Sequence, residues 1–394
     1  MDTPDTHITS DVREPLSADL HRLRSLTSIK WTMHDHEVLP AWVADMDLPP
    51  APAIVDAVEQ LAARGDFGYN FDAACRLPDA FAAWQERRHG WRPDTERLRL
   101  FCDVMQAVQT ALWLATEPGD GVVIFTPVYP PFLSSVTSMG RRIVDCPLDP
   151  PRWSLDPARL ASAIDERTRV ILLCSPHNPT GRIFTADELA AVAEVAERHD
   201  LVVISDEIWG DLTHRGTPFL PFASLGPAAA ARTITVGAAS KAFNVAGLRC
   251  AVAHIGDERI AAGLAALPDH LLGAVGSPGA EATLAAWTRG EEWLEATRDH
   301  LTAQRDHLAS RLSDELPKVA FALPEATYLA WLDFRAYGLG DDPARWLLEH
   351  ARVALSAGPD FGPHGTGFAR LNFATSREIL DEIVDRIVMT IRTR

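Results

Sequence analysis

The sequence predicts an α/β protein: a large domain with a mainly parallel sheet flanked by helices, plus a smaller α+β domain. Two patterns carry this. From about residue 51 to 285, short apolar runs alternate with stretches that repeat apolar residues at helical spacing, as a parallel sheet covered on both faces requires. From about Gly290 the alternation gives way to a long amphipathic stretch, short strand-like runs and a closing helix. A chain of 394 residues, 47% of them hydrophobic, is long enough for a large core and for two or three domains. The boundaries fall at 1–50 for an N-terminal segment, 51–289 for the large domain and 290–394 for the small one.

The elements follow in chain order. Ala53 to Ala63 has helical apolar spacing, and a second helix starts at Val104 and runs through Gln109 and Leu112. Gly121 to Phe125, Val170 to Cys174, Leu201 to Ser205, Thr233 to Val236 and Cys250 to Ile255 are continuous apolar runs of strand length, as strands buried on both faces must be. Ala186 to His199 is a helix between two of them, and the Ala-rich Pro227 to Ala231 reads as a loop. Beyond residue 290 come a helix from Glu291 to Leu312, strands around Ala320, at Leu329 to Leu332 and at Phe368 to Phe373, and a helix from Ser376 to Arg392.

A formal charge of -17 argues against nucleic acid and anionic membrane as partners, since both need a basic face. Five cysteines, an odd number with no CxxC pair, read as reduced thiols, mostly in or beside apolar strands. No basic region followed by an apolar stretch opens the chain, and no window offers 18 apolar residues without charge. The expectation is a cytoplasmic protein without a membrane span. Fourteen histidines show no metal-ligand spacing; His34 and His36 lie two apart in a polar segment, and no metal site is expected.

Chemistry concentrates at the ends of the predicted strands. Lys241 sits in Ser240-Lys241-Ala242-Phe243-Asn244-Val245-Ala246-Gly247-Leu248-Arg249, a small-residue and aromatic setting. A lysine amine there can hold an aldehyde cofactor such as pyridoxal 5'-phosphate (PLP) and later serve as a base beside the substrate carbon. Asp206 closes the strand Leu201 to Ser205, where ligands of open α/β sheets bind, and a carboxylate at that point can pair with a protonated pyridine nitrogen. Asn178, between Pro176 and Pro179 in a stiff loop, could donate its amide to the cofactor's phenolic oxygen or simply form the turn.

The ordered set Tyr69, Tyr129, Asn178-Pro179-Thr180-Gly181, Asp206-Glu207, Ser240-Lys241, Arg249 and Arg370 resembles the fold-type-I PLP enzymes of the class I/II aminotransferase superfamily over nearly the whole chain. Within it, Trp42-Val43-Ala44-Asp45-Met46-Asp47-Leu48-Pro49 and Thr126-Pro127-Val128-Tyr129-Pro130-Pro131-Phe132 look like the cystathionine β-lyase or C-S lyase branch. So do the Ser240 to Leu248 run and Thr327-Tyr328-Leu329-Ala330-Trp331-Leu332-Asp333.

The resemblance implies PLP as cofactor and an amino acid as substrate. Arg249, Ser240 and the backbone amides of Val104 and Met105 would hold the phosphate, Tyr129 would stack on the ring, and Arg370 would grip the substrate carboxylate with help from amides near Ala44. Tyr69 resembles a residue that reaches into the neighbouring subunit's phosphate site, which implies a homodimer with shared active sites. It also implies that the N-terminal segment packs with the small domain. Asp103 stands where relatives commonly carry Gly, Ala238 replaces a frequent phosphate-binding Ser, and Trp209 stands where Tyr or His is common. Two fates of the substrate remain open: β-elimination of a sulfur leaving group to pyruvate and ammonia, or aminotransfer. A non-catalytic PLP-binding regulator is disfavoured by the acidic charge and the intact Lys241 and Asp206.

Overall fold

The structure is a computed structural model that describes residues 18–68, 72–268 and 270–394. A short strand β1 (Leu39–Pro40) precedes the strands of the large sheet: β2 (Leu98–Phe101), β3 (Gly121–Ile124), β4 (Arg142–Asp145), β5 (Thr168–Cys174), β6 (Val202–Asp206), β7 (Thr233–Gly237) and β8 (Ala251–Ile255). Their spatial order is β2-β8-β7-β6-β5-β3-β4. Only β8 runs against its neighbours. Strands β5 to β8 are buried nearly end to end, which is why they read as unbroken apolar runs.

The C-terminal part adds β9 (Ala320–Phe321), β10 (Leu329–Asp333), β11 (Val353–Ala354), β12 (Ser356–Ala357) and β13 (Phe368–Asn372). Four of these form an antiparallel sheet in the order β12-β13-β10-β9, while β11 pairs in parallel with β1 near the start of the chain. The long helix Glu291–Glu315 and the closing helix Arg377–Arg392 pack beside it, the latter capped by the Ser376 hydroxyl.

Sequence periodicity located most of this frame to within a few residues. It missed strands β2 and β4, among others, and several helices, including Asp72–His89, Ser277–Arg289 and Pro343–Ala351. The first of these helices contains Pro78, which reads as a breaker, and the second is buried around most of its circumference, so it has no polar face to mark a period. One reading is corrected: Pro227–Ala230 is a short helix and not a loop, because Pro at its first position presets the backbone angle and alanine favours continuation. The cysteines are all unpaired, but Cys75 lies exposed on a helix and not in a strand. Among the described residues no helix is long and apolar enough to cross a membrane, and no cluster of three or more His, Cys, Asp or Glu could hold a metal.

Helix Ser277–Arg289 presses its backbone against the loop after Lys241. A Cβ at Gly279 would lie 2.2 Å from the Leu248 carbonyl oxygen. Gly279→Ala should therefore destabilise the protein by about 2 kcal/mol, although alanine ordinarily gains helix propensity at such a position. Chemical denaturation checks this: a stabilised variant would mean that the helix and loop are free to separate.

Candidate active site

The loops that leave the C-terminal ends of β2, β3, β5, β6 and β7 converge on one cavity of about 610 Å³. Its walls include Val104, Met105, Tyr129, Asn178, Asp206, Ser240, Lys241, Arg249 and Arg370. These predicted residues, far apart in sequence, are thus brought together, and Ala44 joins them from the N-terminal segment. Tyr69 lies outside the described residues.

Lys241 follows β7 in a four-residue helix. Its Nζ donates to the Ala44 carbonyl at 2.8 Å and lies 5.9 Å from the centre of the Trp209 ring. Burial pushes its pKa down, opposed by Asp45 and Asp206 and assisted by Arg370. An amine so placed loses its proton more readily than an ordinary lysine, as a base or a nucleophile must. The Ala44 carbonyl as an acceptor for the lysine had not been assigned from the sequence.

Asp206 ends β6 and is 4% exposed; burial raises its pKa to about 7 although the Ile208 amide donates to it. A buried carboxyl at the sheet's end, poised between its charged and neutral forms, suits a cationic partner. Arg370, in the middle of β13, is 5% exposed, and no carboxylate pairs with it among the described residues. It donates to the Asn178 side-chain oxygen (2.9 Å), the Trp42 carbonyl (2.8 Å) and the Ser356 hydroxyl (3.0 Å), while its Nε has no acceptor. Burial lowers its pKa only to about 10, so it remains a cation. With the Asn178 oxygen occupied by Arg370, that side chain's amide hydrogens are left to face the cavity.

At the other end of the cavity, Asp103 caps the helix Val104–Ala115 by accepting from the Gln106 amide. The first-turn amides of Val104 and Met105 have no partner within the helix. Asp103 also pairs with Arg249 at 2.6 Å, on a side chain that is 64% exposed. Helix N-terminal amides beside a guanidinium make an anion site, and the Asp103 carboxylate already stands in it. Ala238 contributes no hydroxyl, and Trp209 packs edge-on against Tyr328 with ring centres 4.9 Å apart.

The segment Trp42 to Met46, which has no strand partner of its own, is held by side chains. Ser356 and Arg370 donate to the Trp42 carbonyl, Asn372 to those of Val43 and Asp45, and Lys30 to that of Asp45. Asn244 brackets Met46, donating to its carbonyl and accepting from its amide. Lys30 also forms a buried ion pair with Asp47 at 2.9 Å. Sequence reasoning did not assign Lys30, Asn244, Tyr328, Ser356 or Asn372. Asn372 alone was within reach of it, since residues two apart on a strand share a face and Arg370 had been singled out.

An anion site, an amine, a carboxyl at the strand ends and a buried cation for a second anion fit a phosphorylated aromatic aldehyde together with an amino acid, and a cavity of this size is ample for both. This fold and site define a fold-type-I PLP-dependent enzyme. The family model for aminotransferase class I and II matches residues 43–387, and the chain belongs to that family. The cystathionine beta-lyase PatB of Bacillus subtilis (strain 168) is 36% identical over 370 residues, which are 91% of this chain and 95% of that protein. A cystathionine beta-lyase of Corynebacterium glutamicum is 33% identical over 369 residues, 94% of this chain and 98% of its own. Among solved structures, the PLP-bound C-S lyase from Staphylococcus hominis matches with a TM-score of 0.89 at 28% identity, covering 93% of this chain and 96% of that one.

Two outcomes follow from these electrostatics. The Asp206 carboxyl holds its proton up to about pH 7 in the folded protein but releases it near pH 4 when unfolded, so raising the pH through that window removes stability. Cofactor-free Asp206→Asn should therefore be more stable than the parent above pH 7, by on the order of a few kcal/mol, with the gain shrinking toward pH 4. Thermal melts across pH check it, and a pH-independent difference would refute the assignment. Second, Asp103→Asn keeps the helix cap while freeing Arg249 and removing a like charge. PLP affinity measured by fluorescence titration should rise about threefold at low salt and less at high salt, since the pair is partly solvated.

Proposed function

We propose that this chain is a PLP-dependent carbon-sulfur β-lyase that cleaves cystathionine or a related cysteine S-conjugate to a thiol, pyruvate and ammonia. The observation that carries the reading is the meeting, in one cavity, of an amine with a lowered pKa and a buried guanidinium that no carboxylate among the described residues neutralises. The named relatives favour a sulfur leaving group over aminotransfer.

Arg370 binds the α-carboxylate: its fork is fixed by Asn178, Trp42 and Ser356, so the substrate enters in one orientation with little further ordering. Val104, Met105, Ser240 and Arg249 would hold the cofactor phosphate, Tyr129 its ring, and Asn178 its phenolic oxygen. Asp206 would keep a proton at the pyridine nitrogen. The cofactor supplies a sink for the electron pair left on the substrate's α-carbon. The Lys241 amine takes the α-proton from that carbon, and the carbon-sulfur bond to the β-carbon then breaks with the electrons leaving on sulfur. The remaining three-carbon fragment is hydrolysed to pyruvate and ammonia.

The division into a segment up to residue 50, a large domain at 51–289 and a small one at 290–394 is supported by the β1–β11 pairing and by the confinement of the large sheet to residues 98–255. A homodimer with Tyr69 shared between sites is supported by sequence resemblance. A cytoplasmic location is supported by five unpaired thiols.

With L-cystathionine or another cysteine thioether and no keto acid, the enzyme should release pyruvate over many turnovers, and Lys241→Ala should abolish this. An aminotransferase would stop after one half-reaction. Turnover confined to amino acid and keto acid pairs would replace the lyase reading with the aminotransferase one.

A further inference from the structure

The Ala44 carbonyl accepts two side-chain donors at once. Lys241 Nζ and the Tyr328 hydroxyl each donate to it at 2.8 Å. Tyr328 is 0% exposed, and this is the one hydrogen bond its phenol makes among the described residues. Its placement is imposed by the fold. The preceding Thr327 has φ +72°, a left-handed angle that a β-branched residue seldom adopts, and it is locked there by its amide donating to the Leu212 carbonyl and its hydroxyl accepting from the Leu329 amide. Trp209 packs edge-on against the phenol from the cavity side. The carbonyl itself cannot turn away, because its neighbours in the Trp42 to Met46 segment are tied down by Arg370, Asn372, Lys30 and Asn244.

A lysine that works through a carbonyl cofactor must change partners. Attachment to the cofactor aldehyde forms a carbon-nitrogen double bond and releases one water. Exchange with an amino acid's amine breaks that bond and returns Lys241 as a free amine, its two hydrogens supplied by the incoming nitrogen. In the free state Lys241 donates to Ala44; in the attached state that donor is withdrawn from a buried carbonyl. A buried carbonyl left with no donor is costly, at about 1–3 kcal/mol. Tyr328 is placed to prevent this.

Building on the assignment of Lys241 as the cofactor lysine, we propose that Tyr328 is a positioning residue that keeps the Ala44 carbonyl satisfied when the lysine leaves, so that the amine can dock there after each exchange and undock without penalty. The phenol thereby balances the attached and free states of Lys241.

The test uses full-length Tyr328→Phe, which retains the ring and its packing. Without the hydroxyl, attachment of Lys241 orphans the carbonyl and release restores its donor. PLP affinity should therefore fall about tenfold, whereas the apparent affinity of the holoenzyme for glycine, which displaces Lys241 but has no β-leaving group, should rise severalfold. Opposite shifts are the signature; ordinary loss of packing would weaken both. In a Lys241→Ala background, where no lysine leaves the carbonyl, Tyr328→Phe should leave PLP affinity unchanged. Equal weakening in both backgrounds, or no opposite shift, overturns the proposal. Borohydride fixation and peptide mapping of the parent enzyme separate this from the underlying reading: cofactor fixed at another lysine would defeat the assignment of Lys241 itself, while fixation at Lys241 with no opposite shifts would defeat only the role of Tyr328. Should Tyr328→Phe fold poorly, Thr327→Gly, which relaxes the turn that aims the phenol, should shift the two affinities in the same opposite directions, and unchanged affinities would count against the proposal.

Discussion

A buried guanidinium with no counter-ion among the described residues is the constraint around which this molecule is arranged. Arg370 is almost wholly removed from water yet remains cationic. Burying a charge in this way is tolerable only where dipoles replace its hydration and where an anion arrives to complete the set. The dipoles come from three parts of the chain: Asn178 after β5 of the large sheet, Ser356 in β12 of the small sheet, and the carbonyl of Trp42 near the N-terminus. One side chain thus gathers segments separated by more than 300 residues of sequence around one wall of the cavity.

The Trp42 to Met46 segment depends on the same arrangement. A stretch of irregular backbone inside a protein must find partners for every carbonyl, and here they come from side chains on several different elements. The buried pair of Lys30 and Asp47 closes the far end, with the Trp31 indole donating to the same carboxylate. The result is a rigid strap across the cavity, one of whose carbonyls faces the reactive lysine. Its rigidity is what gives a single shared acceptor, the Ala44 oxygen, a defined relation to both Lys241 and Tyr328.

The site is also a store of unfavourable electrostatics. Burial raises Asp206 to about 7 and the adjacent Glu207 to about 8, with Glu207 held by the Ser205 hydroxyl and the Phe222 amide. Lys241 is shifted the opposite way by the same loss of water. Each group is easier to neutralise than its free counterpart, and each would be more comfortable in solvent. Such groups reduce stability where they stand and are retained where chemistry needs them. Asp103 is a different case: it stabilises a helix end and engages Arg249 at the place where a phosphate would bind.

The sequence by itself determined the fold class and which polar side chains meet at the edge of the large sheet. Fully buried parallel strands must be continuous apolar runs, and the residues that follow them must lie at one edge of the sheet; so Asn178, Asp206 and Lys241 were legible as neighbours from their positions after strands. The family resemblance extended this to Arg249 and Arg370. Helices marked by Pro78, or buried on most sides like Ser277–Arg289, carried no period to read. Only the tertiary structure decided what each polar group does when it arrives. That the Ala44 carbonyl turns to the lysine, that Asp103 engages Arg249, and that Tyr328 and Lys241 converge on one oxygen are facts of direction. Direction depends on backbone angles, such as that of Thr327, and on contacts between residues far apart in the chain, neither of which a residue's type or spacing encodes.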